Sequence, residues 1–378
     1  MQLSADVEAV VERLVADPEH CSRLLALFRD EDFVAALDGP AEAVRERLNG
    51  RTFVPRAVAP PAGWLPIAVR PEEDAVDWAF FGGRRLDEPF FGESVAAVRN
   101  APLNRLLALR TSLSALEGLD GPSPDGLIFH MSRCGSTLVG RMLGVGATVL
   151  SEAAPIDAVV RGDLPDERKI VLLRGVVAAL GRARGAGEGR LFLKLDCWHA
   201  MAFDLFRQAF PDAPWVHLYR TPDEVLVSHA RGVGEQMVPQ VVAPSVFGLA
   251  EPAVPDVDYR ARVLAAIGGA MLDALGRDGA GLLVNYDALP WAVIERVAPH
   301  FGWLPTAMEL EAMTAAARLD AKAPGQAFRP DGAAKRAAVD PAIRAASARW
   351  LDGLHGRLEL GSGCGNLALR QAQGEVSS

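Results

Sequence analysis

Cysteine is scarce in this chain and nowhere paired. Cys21, Cys134, Cys197 and Cys364 show neither the spacing of a disulfide framework nor the close pairs of a zinc site, which fits reduced thiols in a cytosolic chain. Long apolar runs are missing as well. Gly126–Met131 and Leu191–Leu193 are strand-sized, against the ~20 residues that a membrane span requires. No basic stretch precedes an apolar run at the N-terminus, where Asp6, Glu8 and Glu12 stand, so no secretory signal is expected and the cytoplasm is the expected compartment. Positive charge is in deficit: the net charge of −9 repels nucleic acid and other polyanions at long range. Any phosphate or sulfate site must therefore be a local basic pocket. There is no internal repeat. What remains is an ordinary globular composition, half of it hydrophobic, in 378 residues, enough for one large domain with a smaller appendage.

The first 50 residues carry helical periodicity in Val7, Val10, Val11, Leu14 and Val15, and again around Leu24 and Phe33. A Pro-rich stretch and an aromatic cluster (Trp78, Phe80, Phe81, Phe90, Phe91) follow, and helical pattern resumes from Glu93 to about Leu119. Residues 1–120 are thus expected to be a mainly helical region without chemistry of its own. The breaker cluster Gly121-Pro122-Ser123-Pro124-Asp125-Gly126 marks a boundary. Beyond it strand and helix alternate: strands at 127–130, 191–194, 215–219 and 282–286, helices at 136–143, 200–210, 222–230 and 290–301. This predicts an α/β domain over residues 121–360, P-loop-like and three-layered, with a central parallel sheet flanked by helices and ligands at the carboxyl ends of its strands. Residues 232–256, with four prolines and little period, suit a lid or acceptor-binding loop. Residues 361–378 are polar and Gly-rich, and a disordered tail is expected there.

Ser132-Arg133-Cys134-Gly135-Ser136-Thr137-Leu138 lies between a strand and a helix and has the makings of an anion cradle. Gly135 permits close backbone approach, and the amides of Gly135, Ser136 and Thr137 face whatever sits over the helix N-terminus. Two hydroxyls and a guanidinium add charge-assisted bonds worth about 1.5–3 kcal/mol each. The plain alternative is a turn capped by Ser136 or Thr137, which leaves the arginine beside the glycine without a purpose. The segment is not the nucleotide-triphosphate loop GxxxxGK[ST], because no lysine follows Gly135. Nor is it a phosphatase loop, since Arg141 stands one residue too far from Cys134. A cysteine at a helix N-terminus can be acidic, though a small turn residue is the simpler role.

A second motif, Tyr219-Arg220-Thr221-Pro222-Asp223-Glu224-Val225-Leu226-Val227-Ser228, ends a strand with Arg220 and sets Ser228 eight residues later in a helix opened by Pro222. Arginine fork and hydroxyl together suit one phosphate group, while an arginine paired with Asp223 or Glu224 is the bland reading. Together the two motifs resemble the sulfotransferase family, in particular its Golgi-type and bacterial members with an Arg-type donor loop. Val284-Asn285-Tyr286-Asp287-Ala288-Leu289 is similar to a third family segment, and the likeness spans Pro124 to Trp303.

The resemblance implies a donor, 3′-phosphoadenosine-5′-phosphosulfate. Its 5′-phosphosulfate would be held by Arg133, Cys134, Gly135, Ser136 and Thr137, its 3′-phosphate by Arg220 and Ser228, and its adenine would be met by Tyr286. It also implies a cation at Lys194, aimed with Arg133 at the bridging oxygen, and a base at Glu152, for which Asp196 and His199 are rivals. Cys134 and Thr221 depart from the family pattern, and the C-terminal Arg-Lys-Gly segment is missing, with Lys335 as a substitute cation. Such transfer is an in-line displacement that needs charge stabilisation and a base but no metal. The partners expected are a donor nucleotide and a small acceptor, with no nucleic acid. Two other readings stay open: a kinase or ATPase with Asp196 holding magnesium, and a non-catalytic nucleotide-binding protein.

Overall fold

A computed structural model describes residues 5–50, 52–121, 123–183, 189–251, 254–320, 326–327 and 331–374. The chain divides into two compact units, one made of Met1–Pro124, Leu150–Leu191 and Gln208–Phe210, the other of Asp125–Val149, Phe192–Arg207 and Pro211–Ser378.

The first unit opens with helices α1 (Ala5–Val15), α2 (Pro18–Leu25), α3 (Asp30–Ala36) and α4 (Ala41–Asn49). Val7, Val10, Val11 and Leu14 form one buried stripe on α1, as their spacing requires. Asp17 caps α2 by accepting from the His20 amide. The Pro-rich and aromatic stretch then folds as strands β1 (Val54–Arg56), β2 (Trp64–Arg70) and β3 (Ala75–Phe80). The helical pattern beyond it breaks into α5 (Phe91–Arg99), α6 (Pro102–Leu107), β4 (Leu109–Thr111) and α7 (Ser114–Glu117), with Pro102 opening a new helix within the expected helical stretch. The strands pair in the order β1-β4-β3-β2. The N-terminal region is mainly helical, as expected, and adds a four-stranded sheet. All six residues of β3 are buried, so it lacks the alternation that announces a half-exposed strand. Pro66, which cannot donate to a ladder, sits where the β2–β3 register shifts.

The second unit begins with β5 (Gly126–His130) and α8 (Ser136–Leu143) and enters β6 (Thr148–Ser151). The chain next supplies α9 (Ala154–Arg161) and α10 (Asp166–Leu180) to the first unit, where Gly175 lets α10 approach the Leu116 carbonyl too closely for any Cβ. It returns through β7 (Leu191–Lys194), α11 (Phe203–Ala209), β8 (Trp215–Tyr219), α12 (Pro222–Arg231), α13 (Val257–Arg277), β9 (Gly281–Asn285), α14 (Ala298–His300), α15 (Ala307–Ala317), α16 (Gly332–Arg336), α17 (Pro341–Trp350) and α18 (Asp352–Gly374).

The sheet order is β6-β7-β5-β8-β9, and the pairs β7–β5, β5–β8 and β8–β9 are all parallel. The fold is therefore α/β with a parallel sheet flanked by helices, as the strand–helix rhythm requires. Phe129 on the central strand packs 5.5 Å from Phe203, 6.0 Å from Phe206 and 6.2 Å from Trp215, ring centroid to ring centroid. Burying each such ring is worth about 1.5–3 kcal/mol.

Local details differ from the pattern. The expected helix at 290–301 contains a π-turn, Val293–Val297, two residues before Pro299, which has no N–H to continue the ladder. The loop at 232–256 carries two 3-10 turns, Glu235–Met237 and Pro244–Phe247. The tail expected to be disordered continues α18 as far as Gly374, from a turn anchored by the buried Leu358, while 375–378 lie outside the described residues. Among the described residues no helix is long and apolar enough to cross a membrane.

Candidate functional site

Chemistry gathers at the carboxyl ends of β5, β7, β8 and β9 in the second unit. The chain leaves β5 at His130 and turns through a loop in which Ser132 (φ 75°), Arg133 (φ 53°) and Gly135 (φ 85°) are left-handed. Two of these are not glycine, and each such conformation costs about 1–3 kcal/mol. The Ser132 amide donates to His130 Nδ1 at 3.1 Å, so this ring accepts at Nδ1. Neither Ser136 nor Thr137 caps α8. The N-cap is Gly135, without a side-chain hydrogen bond, so the simple capped-turn reading is set aside and the first-turn amides keep their anion-binding geometry. A Cβ on Gly135 would lie 2.7 Å from Leu289 Cδ1 and 2.9 Å from Tyr286 Cδ2. Glycine is required there twice over, by φ and by the close approach of Tyr286.

Cys134 is fully buried and its thiol donates to the Leu218 carbonyl at 3.2 Å. Burial pushes its pKa up to about 12, although the Met131 and Ser136 backbone and the charges of Lys194 and Arg220 pull the other way. The thiol is therefore not acidic, and the simpler role of a small turn residue fits. Its side chain points into the sheet, and only its backbone is available to a ligand.

Arg220 follows β8, is buried, and is engaged on several sides. Its Nε and Nη2 donate to Glu224 Oε2 at 2.8 and 2.5 Å, and Nη2 reaches Asp331 Oδ1 at 3.3 Å. Its guanidinium lies over the Tyr286 ring, 3.8 Å from the centroid, a cation–π contact. Burial works against its charge, but Glu224, Tyr286 and Asp331 together raise its pKa. Of the two carboxylates that could pair with it, Glu224 does so, while Asp223 pairs with Arg344. Glu224 Oε1 also accepts from Arg336 at 2.5 Å.

The spacing along α12 is regular. Glu224, Ser228 and Gly232 follow Arg220 at intervals of four and so share one face of the helix. At the far end of this row, Arg133 donates through Nη2 to the Gly232 carbonyl at 2.8 Å. The two arginines are thus tied to points eight residues apart, about 12 Å along the helix axis, with half-buried Ser228 between them.

Lys194 ends β7 with no exposed surface. Asp196 and His199 follow it, both buried, with His199 Nδ1 4.0 Å from Asp196 Oδ2 and its ring against Trp198 and Phe206. Glu152, one residue past β6, is half-buried and left-handed (φ 50°), and belongs to the first unit. Lys335 lies 2.9 Å from Asp331, the carboxylate that Arg220 also contacts. The residues missed in the sequence are Asp331, more than a hundred positions from Arg220 and without any spacing signal, and His130, whose position at the strand end next to the loop was the available clue.

No family model matches the chain, and no curated protein matches it. Among solved structures it is similar to a sulfotransferase domain from the curacin biosynthetic pathway, at 14% identity over 61% of this chain and 98% of that one, with a TM-score of 0.39. It is similar to a sulfotransferase domain of the Synechococcus PCC 7002 olefin synthase, at 18% identity over 65% and 96% of the chains, with a TM-score of 0.37. Sulfotransferase STF1 from Mycobacterium tuberculosis H37Rv is also similar, at 14% identity over 69% and 84% of the chains, with a TM-score of 0.40.

Proposed function

We propose that this chain is a sulfotransferase, moving a sulfuryl group from 3′-phosphoadenosine-5′-phosphosulfate to an acceptor hydroxyl or amine. The observation that carries this reading is the junction at Tyr286. Its ring lies under Arg220 and against Gly135, so the segments bearing three separate motifs meet in one unit. Two arginines tied to points eight residues apart on α12, a half-buried hydroxyl between those points and a strained amide loop form a set that a single anionic nucleotide would satisfy.

In this reading the amides of Cys134, Gly135, Ser136 and Thr137 hold the 5′-phosphosulfate, with both hydroxyls. Arg220 and Ser228 hold the 3′-phosphate, and Tyr286 borders the adenine. As the acceptor oxygen or nitrogen bonds to sulfur, the bond from sulfur to the bridging oxygen breaks. Arg133 and Lys194 meet the charge left on that oxygen, and the acceptor's proton passes to a base, for which we choose Glu152 over Asp196 and His199.

Thermal denaturation with adenosine 3′,5′-bisphosphate tests the reading. At a hundred times its Kd a ligand of the folded state adds about 2.7 kcal/mol of stability, and this gain is expected without metal. A gain from magnesium–ATP and none from the bisphosphate would point to phosphoryl transfer instead.

A further inference from the structure

Three cations and two carboxylates meet where α12 begins: Arg220, Lys335 and Arg336 with Glu224 and Asp331. The two carboxylates are held differently. Glu224 is 2% exposed, takes both Arg220 donors on one oxygen and Arg336 on the other, and is built into the interior. Asp331 is half exposed, reaches Arg220 through one contact of 3.3 Å and Lys335 through one of 2.9 Å, and makes no side-chain cap on α16. Burial favours its neutral form, yet Lys335 and Arg220 hold its carboxyl below the ordinary range, so it is anionic at neutral pH. Glu224 is a fixed counter-ion. Asp331 is a replaceable one.

We infer that Asp331 is a placeholder carboxylate, occupying an anion subsite formed by Arg220 and Lys335 and yielding it to a phosphate group. The inference rests on the sulfotransferase reading only for the identity of that phosphate, the 3′-phosphate of the nucleotide. Charge balance supports an exchange over an addition. A dianionic phosphate added to the five groups leaves one negative charge uncompensated, whereas one that takes the place of Asp331 leaves none. The half-exposed position also leaves Asp331 a short route into water, which a buried carboxylate would lack.

Asp331→Asn keeps the side chain's size and removes its charge. Calorimetric titration of the full chain is expected to show adenosine 3′,5′-bisphosphate binding about tenfold tighter to D331N than to the unmodified protein, and about tenfold weaker to Lys335→Gln. Adenosine 5′-monophosphate, which has no 3′-phosphate, is expected to bind D331N and the unmodified protein alike. Unchanged or weaker bisphosphate binding by D331N overturns the inference, as does an equal gain for the monophosphate. If neither protein binds the bisphosphate, the sulfotransferase reading fails separately and inorganic phosphate decides the subsite. A phosphate-dependent rise in Tm in D331N that exceeds that of the unmodified protein, at matched ionic strength, upholds the placeholder, and its absence overturns it.

Discussion

Replacing Arg220 by Met separates what the arginine does for the fold from what it does for a ligand. The Arg220–Glu224 pair is 3% exposed on both sides, and removing one member of such a pair costs about 3–5 kcal/mol, because the remaining charge stays buried. Here the cost is tempered. Glu224 keeps its bond to Arg336, a largely exposed arginine, so a loss of about 2–3 kcal/mol is expected. The double variant Arg220→Met with Glu224→Met removes both charges, and an apolar pair of similar volume is expected to recover most of that stability. Bisphosphate affinity follows a different course. It falls about a hundredfold in both variants, since two charge-assisted bonds of about 1.5 kcal/mol each are lost whether or not Glu224 remains. Urea unfolding gives the stabilities and calorimetric titration the affinities. A double variant that binds the bisphosphate as well as the unmodified protein would refute the ligand role. A single variant of undiminished stability would refute the account of the buried pair.

Arg133→Ala and Glu152→Gln are each expected to lower kcat by about a hundredfold or more, measured as sulfuryl transfer once an acceptor is in hand, and near-normal turnover removes the role assigned to that residue. Gly135→Ala forces a Cβ against Leu289 and Tyr286 in a left-handed conformation, so stability falls by at least about 1 kcal/mol and bisphosphate binding weakens with it, both measurable by thermal shift. His217, fully buried in β8, has its pKa pushed down to about 3 by burial and by the nearby His130, against an ordinary 6.5. Between those values the unfolded chain binds a proton that the folded one refuses. Its contribution is therefore fully present above the ordinary value and falls by about 1.4 kcal/mol per pH unit on acidification, a slope that His217→Phe should remove from urea unfolding measured across that range.

The strand–helix loop at 132–137, the arginine after β8 and the four expected strands were legible because each depends on neighbours in sequence. Apolar runs ending in Arg220 or Lys194 become strands with those cations at their carboxyl ends, and a glycine before two hydroxyls becomes a strand–helix turn. Where legibility failed, the deciding partner was remote or the local pattern was silent. β3 escaped notice because burial on both faces erases alternation. The 3-10 turn Cys197–Ala202 before α11 and the π-turn before α14 escaped because helical periodicity does not distinguish the tighter and wider ladders.

Composition and local pattern by themselves determined the α/β class, the strand–helix turn at 132–137 and the chemical types of groups on offer, since these follow from residue spacing and backbone sterics. Only the tertiary structure decided how those groups are used. It buried the Cys134 thiol and so raised its pKa, gave Arg220 to Glu224 and Asp223 to Arg344, laid Tyr286 between Gly135 and Arg220, and brought Asp331 from across the chain to the same guanidinium. The physical reason is that burial and charge pairing depend on which surfaces meet, and contacts between residues a hundred positions apart leave no trace in the spacing of either partner.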